Sequence, residues 1–280
     1  MRSGKLGIWV VFLLLGGGAA LFVFTRSRGG DPTPPQPPAP PQPTSTLPTT
    51  PLPPPEGPRV LLQGRIVLQE GAEIPEPKRL EVTKDNETCE CPPGGGERQK
   101  FKLDESLVVD PKTRGIAHAV VWVKGLAGGQ PRAEATVDQR GCQFVPHVAL
   151  LTPGGKLNLL NPDHLAHNYF AHSQVPGNPT QNLSIQKFSD HKAYPDAGSF
   201  AKPEFVRVTC DVHAWMQMWV AVVDSGYAVV TDAEGRFSIP GVPAGPLTLC
   251  IWQERLAATP QERAVTVGPE GGEVLLSLKP

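Results

Sequence analysis

The stretch CDVHAWMQMWVAV (Cys210–Val222) puts a thiol, an imidazole and two thioethers into nine residues: Cys210, His213, Met216 and Met218. The chain has 3 methionines, one of them the initiator, so both of the others fall here. The preceding VRVT (206–209) alternates as a strand does, DVHAW reads as a tight loop, and MQMWVAV resumes an extended, valine-rich run. A core strand that happens to carry sulfur would account for one such residue. Four soft or borderline ligands on one strand–loop–strand unit point instead to half of a metal site.

The other half lies upstream. NLLNPDHLAHNYF (158–170) supplies His164 and His167 just after a strand, with His167 43 residues before Cys210. A mononuclear electron-transfer copper site needs two imidazoles and a thiolate roughly in one plane and a weak thioether on the axis. Copper must change oxidation state with little movement, and ligands on loops at one end of a rigid β-sandwich meet that need.

The rest of the exported-looking region predicts such a scaffold. VLLQGRIVLQ, KRLEV, IAHAVVWVKG, RAEATVD, FVPHVALLTPGG, KLNLLNPD, EFVRVTC and MWVAVVD follow one another at short spacings, broken by Gly, Pro, Asn and Asp. No segment sustains a 3.6-residue period over a dozen residues. With 29 Gly and 33 Pro in 280 residues, the expectation is an all-β protein of sandwich or barrel type. After residue 224, YAVVTDAEGRFSIPGVPAGPLTLCIWQE reads as three strands joined by an Asp-Ala-Glu-Gly and a Pro-Ala-Gly turn. ERAVTVGPEGGEVLLSLKP adds a final hairpin around Gly271 and Gly272.

N-P-D-x-x-x-H-N (Asn161 to Asn168) together with V-x-C-D-V-H-x-W-M (Val208 to Met216) resembles the cupredoxin, or plastocyanin-like blue copper, family. Within it the chain is most similar to bacterial methylamine-utilisation-type proteins, over about residues 60–255, where CQFVPHV (142–148) and VTDAEGRFSIPGVPAGPLTL (230–249) also match. The resemblance implies a Greek-key sandwich at 59–224 with copper held by His167, Cys210, His213 and a methionine. The family frame M-x-G-x-V-x-V favours Met216 on the axis. Met218 then replaces the glycine, packing beneath the site or serving as the alternative axial ligand. Asn168 is expected to tie the two ligand loops together near the Cys210 sulfur, and Asp211 reads either as its partner or as a solvated residue. Trp215 reads as a hydrophobic lid or an electron path. His164 reads as a solvated loop residue, and His147 as a structural hydrogen-bonding one. His118, His172 and His191 read as surface or loop residues. Residues 225–280 resemble a carboxypeptidase regulatory-like β module. GRIVLQEG (64–71) could be its opening strand, which would make the copper domain an insertion.

The 5 cysteines cannot all pair. On the family pattern Cys89–Cys142 is the expected disulfide, with Cys91 as the competing partner, and Cys250 is a buried small hydrophobe. GIWVVFLLLGGGAALFVF (7–24) is 18 residues without a charge, flanked by basic residues, and reads as an uncleaved signal anchor within 1–29. Residues 31–58 hold 14 prolines in 28 positions and read, as part of a 30–58 linker, as a polyproline II-like spacer. Such a spacer reaches up to roughly 85 Å at about 3.1 Å per residue.

The predicted location is the cytoplasmic membrane, single-pass, with the folded region on the periplasmic or extracytoplasmic side. Net charge is −1, with no large basic surface, so nucleic acid is not an expected partner. H-x-H and H-C-H clusters, a second cysteine in the ligand loop, a P-loop, a nucleophile elbow and H-E-x-x-H are all missing, so no enzyme is expected. The predicted role is an electron carrier cycling Cu(I)/Cu(II) between redox partner proteins. The alternatives are copper storage or delivery, or a structural interaction protein with a vestigial site.

Overall fold

The computed structural model describes residues 57–90, 96–187 and 199–280. The signal anchor and all but the last two residues of the Pro-rich linker lie outside the described residues, as do Cys91 and His191. Among the described residues no helix is long and apolar enough to cross a membrane. They form an all-β protein whose only α-helix among them is the single turn Asn86–Cys89.

Two sheets enclose the core around Cys210. One runs Asn182–Ile185, His167–His172, Glu204–Thr209, Gln217–Val222, Val148–Leu151 in spatial order. Its last pairing is parallel, Trp219 beside Val148 through Val222 beside Leu151. The other runs Ser199–Phe200, Gly155–Leu160, Glu134–Gln139, Phe144–Val145. Alternation decides which side chains meet between them. Val206 and Val208 from one strand, Met218 and Val220 from its neighbour, and Leu157 and Leu159 from the facing sheet are all buried in one cluster.

A second pair of sheets encloses a core around Ile66. Arg59–Leu68 is the central strand of three, antiparallel to Arg236–Pro243 and parallel to Gly272–Leu278, with Leu62 beside Gly272 and Leu68 beside Leu278. Facing it, Val120–Val123 lies between Ala228–Val230 and Gly245–Gln253, which pairs in turn with Ala257–Val267. Leu62, Ile66 and Leu68 alternate onto the inner face and are at most 1% exposed. Each such side chain contributes about 1.5–3 kcal/mol on burial. Gly64, on the same face, is required by crowding, since a Cβ there would lie 2.5 Å from Val274 O and 2.6 Å from the Phe237 ring.

This pairing corrects the expected division at residue 224. Arg59–Leu68 and Val120–Val123, assigned to the 59–224 region, hydrogen-bond to strands after residue 225. The Cys210 sheets are formed by strands of the intervening chain. The expected final hairpin is also corrected, and the earlier turn shows the same crossing. The turn at 232–235 forms as read, with Gly235 at φ +75° and its N–H donating to Asp232 O at 2.9 Å. Yet the strands on either side of it enter different sheets. The same holds at Gly271, where Ala257–Val267 and Gly272–Leu278 part after a single Gly268–Gly271 bridge. Each of these late strands has one apolar face. Crossing from sheet to sheet turns successive apolar faces toward one shared core.

The two cores meet at an aromatic seam. Trp252 stacks on Phe205 at 4.4 Å between centroids and meets Trp219 edge-on at 5.2 Å. Val120, Ala221, Val223 and Ala228 fill the space around them.

Candidate metal centre

Cys210 ends the strand Glu204–Thr209, and the loop after it closes on itself. Met216 N donates to His213 O at 2.9 Å, and Cys210 N donates to Met216 O at 3.3 Å. The closure folds His213 back over Cys210 and seats Met216 beside it before the next strand begins at Gln217. His167 opens the neighbouring strand His167–His172, which lies next to Glu204–Thr209 in the same sheet.

These elements bring three ligand atoms together. His167 Nδ1 and His213 Nδ1 are 3.0 Å apart, and Cys210 Sγ is 3.9 Å from His213 Nδ1. His167 is 1% exposed, Cys210 3% and His213 0%. Those separations suit a single ion with bonds of about 2.0 Å to nitrogen and about 2.3 Å to sulfur. Without a cation, two Nδ1 atoms at this distance must share one proton or repel. The donor set, two imidazoles and a thiolate closed off from water, fits copper.

The outer nitrogens are both held by carboxylates. His167 Nε2 lies 2.9 Å from Asp163 Oδ2, and His213 Nε2 lies 3.0 Å from Asp85 Oδ2. A carboxylate on Nε2 keeps the proton there and leaves the Nδ1 lone pair aimed inward. Asp163 is itself fixed by Gly141 N–H and Cys142 N–H, each donating at 2.8 Å. Cys142 is bonded to Cys89, with Cα atoms 5.0 Å apart. Cys89 ends the helical turn that follows Asp85, so the disulfide is what delivers Asp85 to His213. Sequence reading missed Asp85 and Asp163. Asp163 stood four residues before His167 inside the quoted motif, whereas nothing near Asp85 signalled its role.

Electrostatics follow from these contacts. Burial alone would push the Cys210 thiol up. Contacts with His167 and His213 and the Asn168 N–H outweigh it and bring the thiol down to about 6. Burial works against charge on His167, but Asp163 and Cys210 overcome it and raise its pKa. Burial also opposes charge on Asp163, and the His167, Cys142 and Gly141 donors lower its pKa regardless. The site is wired to hold a thiolate.

Asn168 ties the loops. Its backbone N–H donates to Cys210 Sγ at 3.5 Å, and its Oδ1 accepts Asp211 N–H at 2.6 Å. Its Nδ2 donates to Asp211 Oδ2 at 3.1 Å, and Asn182 Nδ2, which sequence reading did not single out, reaches the same oxygen at 2.7 Å. Met216 is 1% exposed at the loop's closing position. Met218 is wholly buried two residues further along, opposite Val208. Trp215 is partly buried, donates Nε1–H to Cys142 O at 3.0 Å and lies 5.1 Å from the His213 ring. His164 is exposed, and His172 Nε2 bonds Thr209 Oγ1 at 2.8 Å, so neither reaches the centre. Cys250 is a buried free thiol in the second pair of sheets.

No family model and no curated protein matches the chain. Three solved amicyanin structures are similar to part of it, each with a TM-score of 0.25. A reduced Cu(I) form of an amicyanin variant is 17% identical over 35% of this chain and 86% of its own. A Cu(I) methionine-to-alanine variant is 14% identical, and an oxidised proline-to-glycine variant 15%. Each of these two covers 37% of this chain and 98% of its own.

Proposed function

We propose that the protein is a mononuclear copper protein of the cupredoxin kind that carries single electrons. The observation that supports this reading most is the paired geometry of His167 and His213. Their Nδ1 atoms converge beside the Cys210 thiol, and each outer nitrogen is held by a carboxylate. His167, Cys210 and His213 would hold the ion, with Met216 as the axial thioether and Met218 as packing. Copper bound there would supply one-electron exchange between Cu(I) and Cu(II). The chain's own residues do the rest. Asp163 and Asp85 fix ring orientation, Asn168 donates to the sulfur and braces the two loops, and burial keeps water from the thiolate. A site so braced changes little when one electron arrives.

The same burial weighs against storage or delivery. Handing copper on requires exposed ligands, and these three are at most 3% exposed. The uncharged stretch 7–24 and the Pro-rich run 31–58 support a tether that lets the folded region reach redox partner proteins outside the cytoplasmic membrane. A disulfide suits that compartment. Residues after 224, with Arg59–Leu68 and Val120–Val123, read as a carboxypeptidase regulatory-like support with no chemistry of its own.

The test is to add Cu(II) to the full chain. Intense thiolate-to-copper absorption that bleaches with a reductant and returns with an oxidant is expected, and Cys210→Ser should lose it entirely. A chain that binds no stoichiometric copper, or that stays colourless when loaded, would sink the reading.

A further inference from the structure

A second pair of imidazoles, His147 and His118, lies behind the Cys210 loop, and His147 is held as the first pair is. His147 sits between Phe144–Val145 and Val148–Leu151 and is 2% exposed. Its Nε2 meets Glu254 Oε1 at 2.5 Å, while Trp219 Nε1 donates to the other oxygen of that carboxylate at 2.8 Å. A carboxylate acceptor keeps the proton on Nε2, so Nδ1 carries the lone pair. This is the tautomer that Asp163 and Asp85 impose on the two imidazoles beside Cys210. His147 Nδ1 is buried and has no hydrogen-bond partner. An unsatisfied buried acceptor costs about 1–3 kcal/mol and calls for an explanation.

Nδ1 faces Glu105 Oε2 at 3.9 Å, beyond hydrogen-bond reach, and two acceptors have no bond to make. The other oxygen of Glu105 is 4.0 Å from His118 Nε2. The His118 ring stands 5.1 Å from that of His147, on a backbone held at φ +61°, which is uncommon for a residue other than glycine. Three acceptor-rich groups thus converge on one space.

We propose that His147 Nδ1, Glu105 and His118 Nε2 form a second metal site, which takes a divalent cation of borderline hardness, with Zn2+ the best match. Two imidazoles and one carboxylate, with a fourth position left open, are a zinc donor set. Ligand atoms on a tetrahedral ion with bonds of about 2.0–2.2 Å lie about 3.4 Å apart, so closure asks Glu105 to draw in by about half an ångström toward each imidazole and the partly exposed His118 side chain to swing further inward, since the three do not yet lie within 4.8 Å of one another. Glu105 and His118 both line a cavity of about 320 Å³, which leaves the ion a way in. Glu105 and His147 also line a narrow space shared with Met216 and Trp215, so the second ion would lie against the back of the Cys210 loop. Burial and the neighbouring His147 lower the His118 pKa to about 4, which leaves its lone pair free at neutral pH. Burial raises the Glu105 pKa, a cost that a bound cation would relieve.

The experiment loads the full chain with one equivalent of Cu(II), adds Zn2+, removes free metal by desalting and counts both metals per chain. One zinc beside one copper is expected. Glu105→Gln and His147→Gln should each cut retained zinc at least tenfold while leaving the copper absorption unchanged. If His147→Gln does not fold, His118→Asn, at the more open edge of the cluster, serves instead. Repeating the zinc count in a Cys210→Ser chain, with and without Glu105→Gln, reads the second site whatever happens at the first. No zinc retained by the parent chain, or zinc retained equally by Glu105→Gln and His118→Asn, would overturn the proposal.

Discussion

Around Cys210 the buried residues include Cys89, Cys142, Met216, Met218, Tyr169 and Phe144. Around Ile66 they are Leu, Ile, Val and Ala, joined only by Tyr227 and Phe237. Both cores lie between two sheets, so the contrast is one of content and not of architecture. The first core holds sulfur, rings and braced loops, and its strands come from one stretch of chain, about residues 134–222. The second is plain hydrocarbon gathered from both ends of the folded region. The contrast separates a core that binds from a core that holds, and substitutions can test whether that separation is real.

The largest stability effect should come from the disulfide. Cys89 and Cys142 close a loop spanning 53 residues, and in the chain-entropy account a bond of that span contributes about 4 kcal/mol. Cys89→Ala/Cys142→Ala should lose an amount of that order in chemical denaturation. It should also broaden the copper spectrum, because Asp85 is no longer held at His213. A double variant with an unchanged spectrum would show that the brace has no bearing on the metal.

Ile66→Ala should come next. Truncating a fully buried Ile costs about 2–5 kcal/mol, and here the folded fraction should keep its copper absorption unaltered. A shifted spectrum would mean that the two cores are not separable.

A smaller effect is expected with pH. His118 has a folded pKa of about 4, below the usual 6.5. Between those values the unfolded chain takes up a proton that the folded chain does not, so the metal-free protein should lose stability as pH falls from 6.5 toward 4. His118→Asn should flatten that slope, measured as Tm against pH. The mildest substitution is Met218→Leu, which conserves volume and should cost less than about 1.5 kcal/mol. The absorption should persist, whereas Met216→Leu should move the reduction potential.

Much of the first core was legible because its ligands are adjacent in sequence. Cys210, His213, Met216 and Met218 occupy one loop and the strand it feeds, so spacing exposes that half, while the choice of His167 over His164 rested on the resemblance. The carboxylates behind them were not legible. Asp85 lies 128 residues from His213 and reaches it beside a disulfide that spans 53, and no local pattern encodes that. His147 and His118 read as ordinary histidines because their convergence is made by two loops that lead into strands of different sheets. Individual strands were also recognisable, since alternation is local, but their partners were not. The turns at Gly235 and Gly271 carry the same residues whether the chain doubles back beside itself or crosses to the opposite sheet. Only the shared core decides between the two.

The parallel pairing of Arg59–Leu68 with Gly272–Leu278 also bears on how the molecule comes into being. The first strand among the described residues is the middle strand of its sheet, and its two neighbours, Arg236–Pro243 and Gly272–Leu278, are made much later. At about 5–20 residues per second, the roughly 200 residues between it and Gly272–Leu278 take about 10–40 s to make. Through that wait it has unsatisfied edges on both sides, and its pairing has the long sequence separation that makes β proteins slow to fold. The nascent chain therefore has the loops of the candidate centre before it can acquire its support, and strands made late allow this early one to settle.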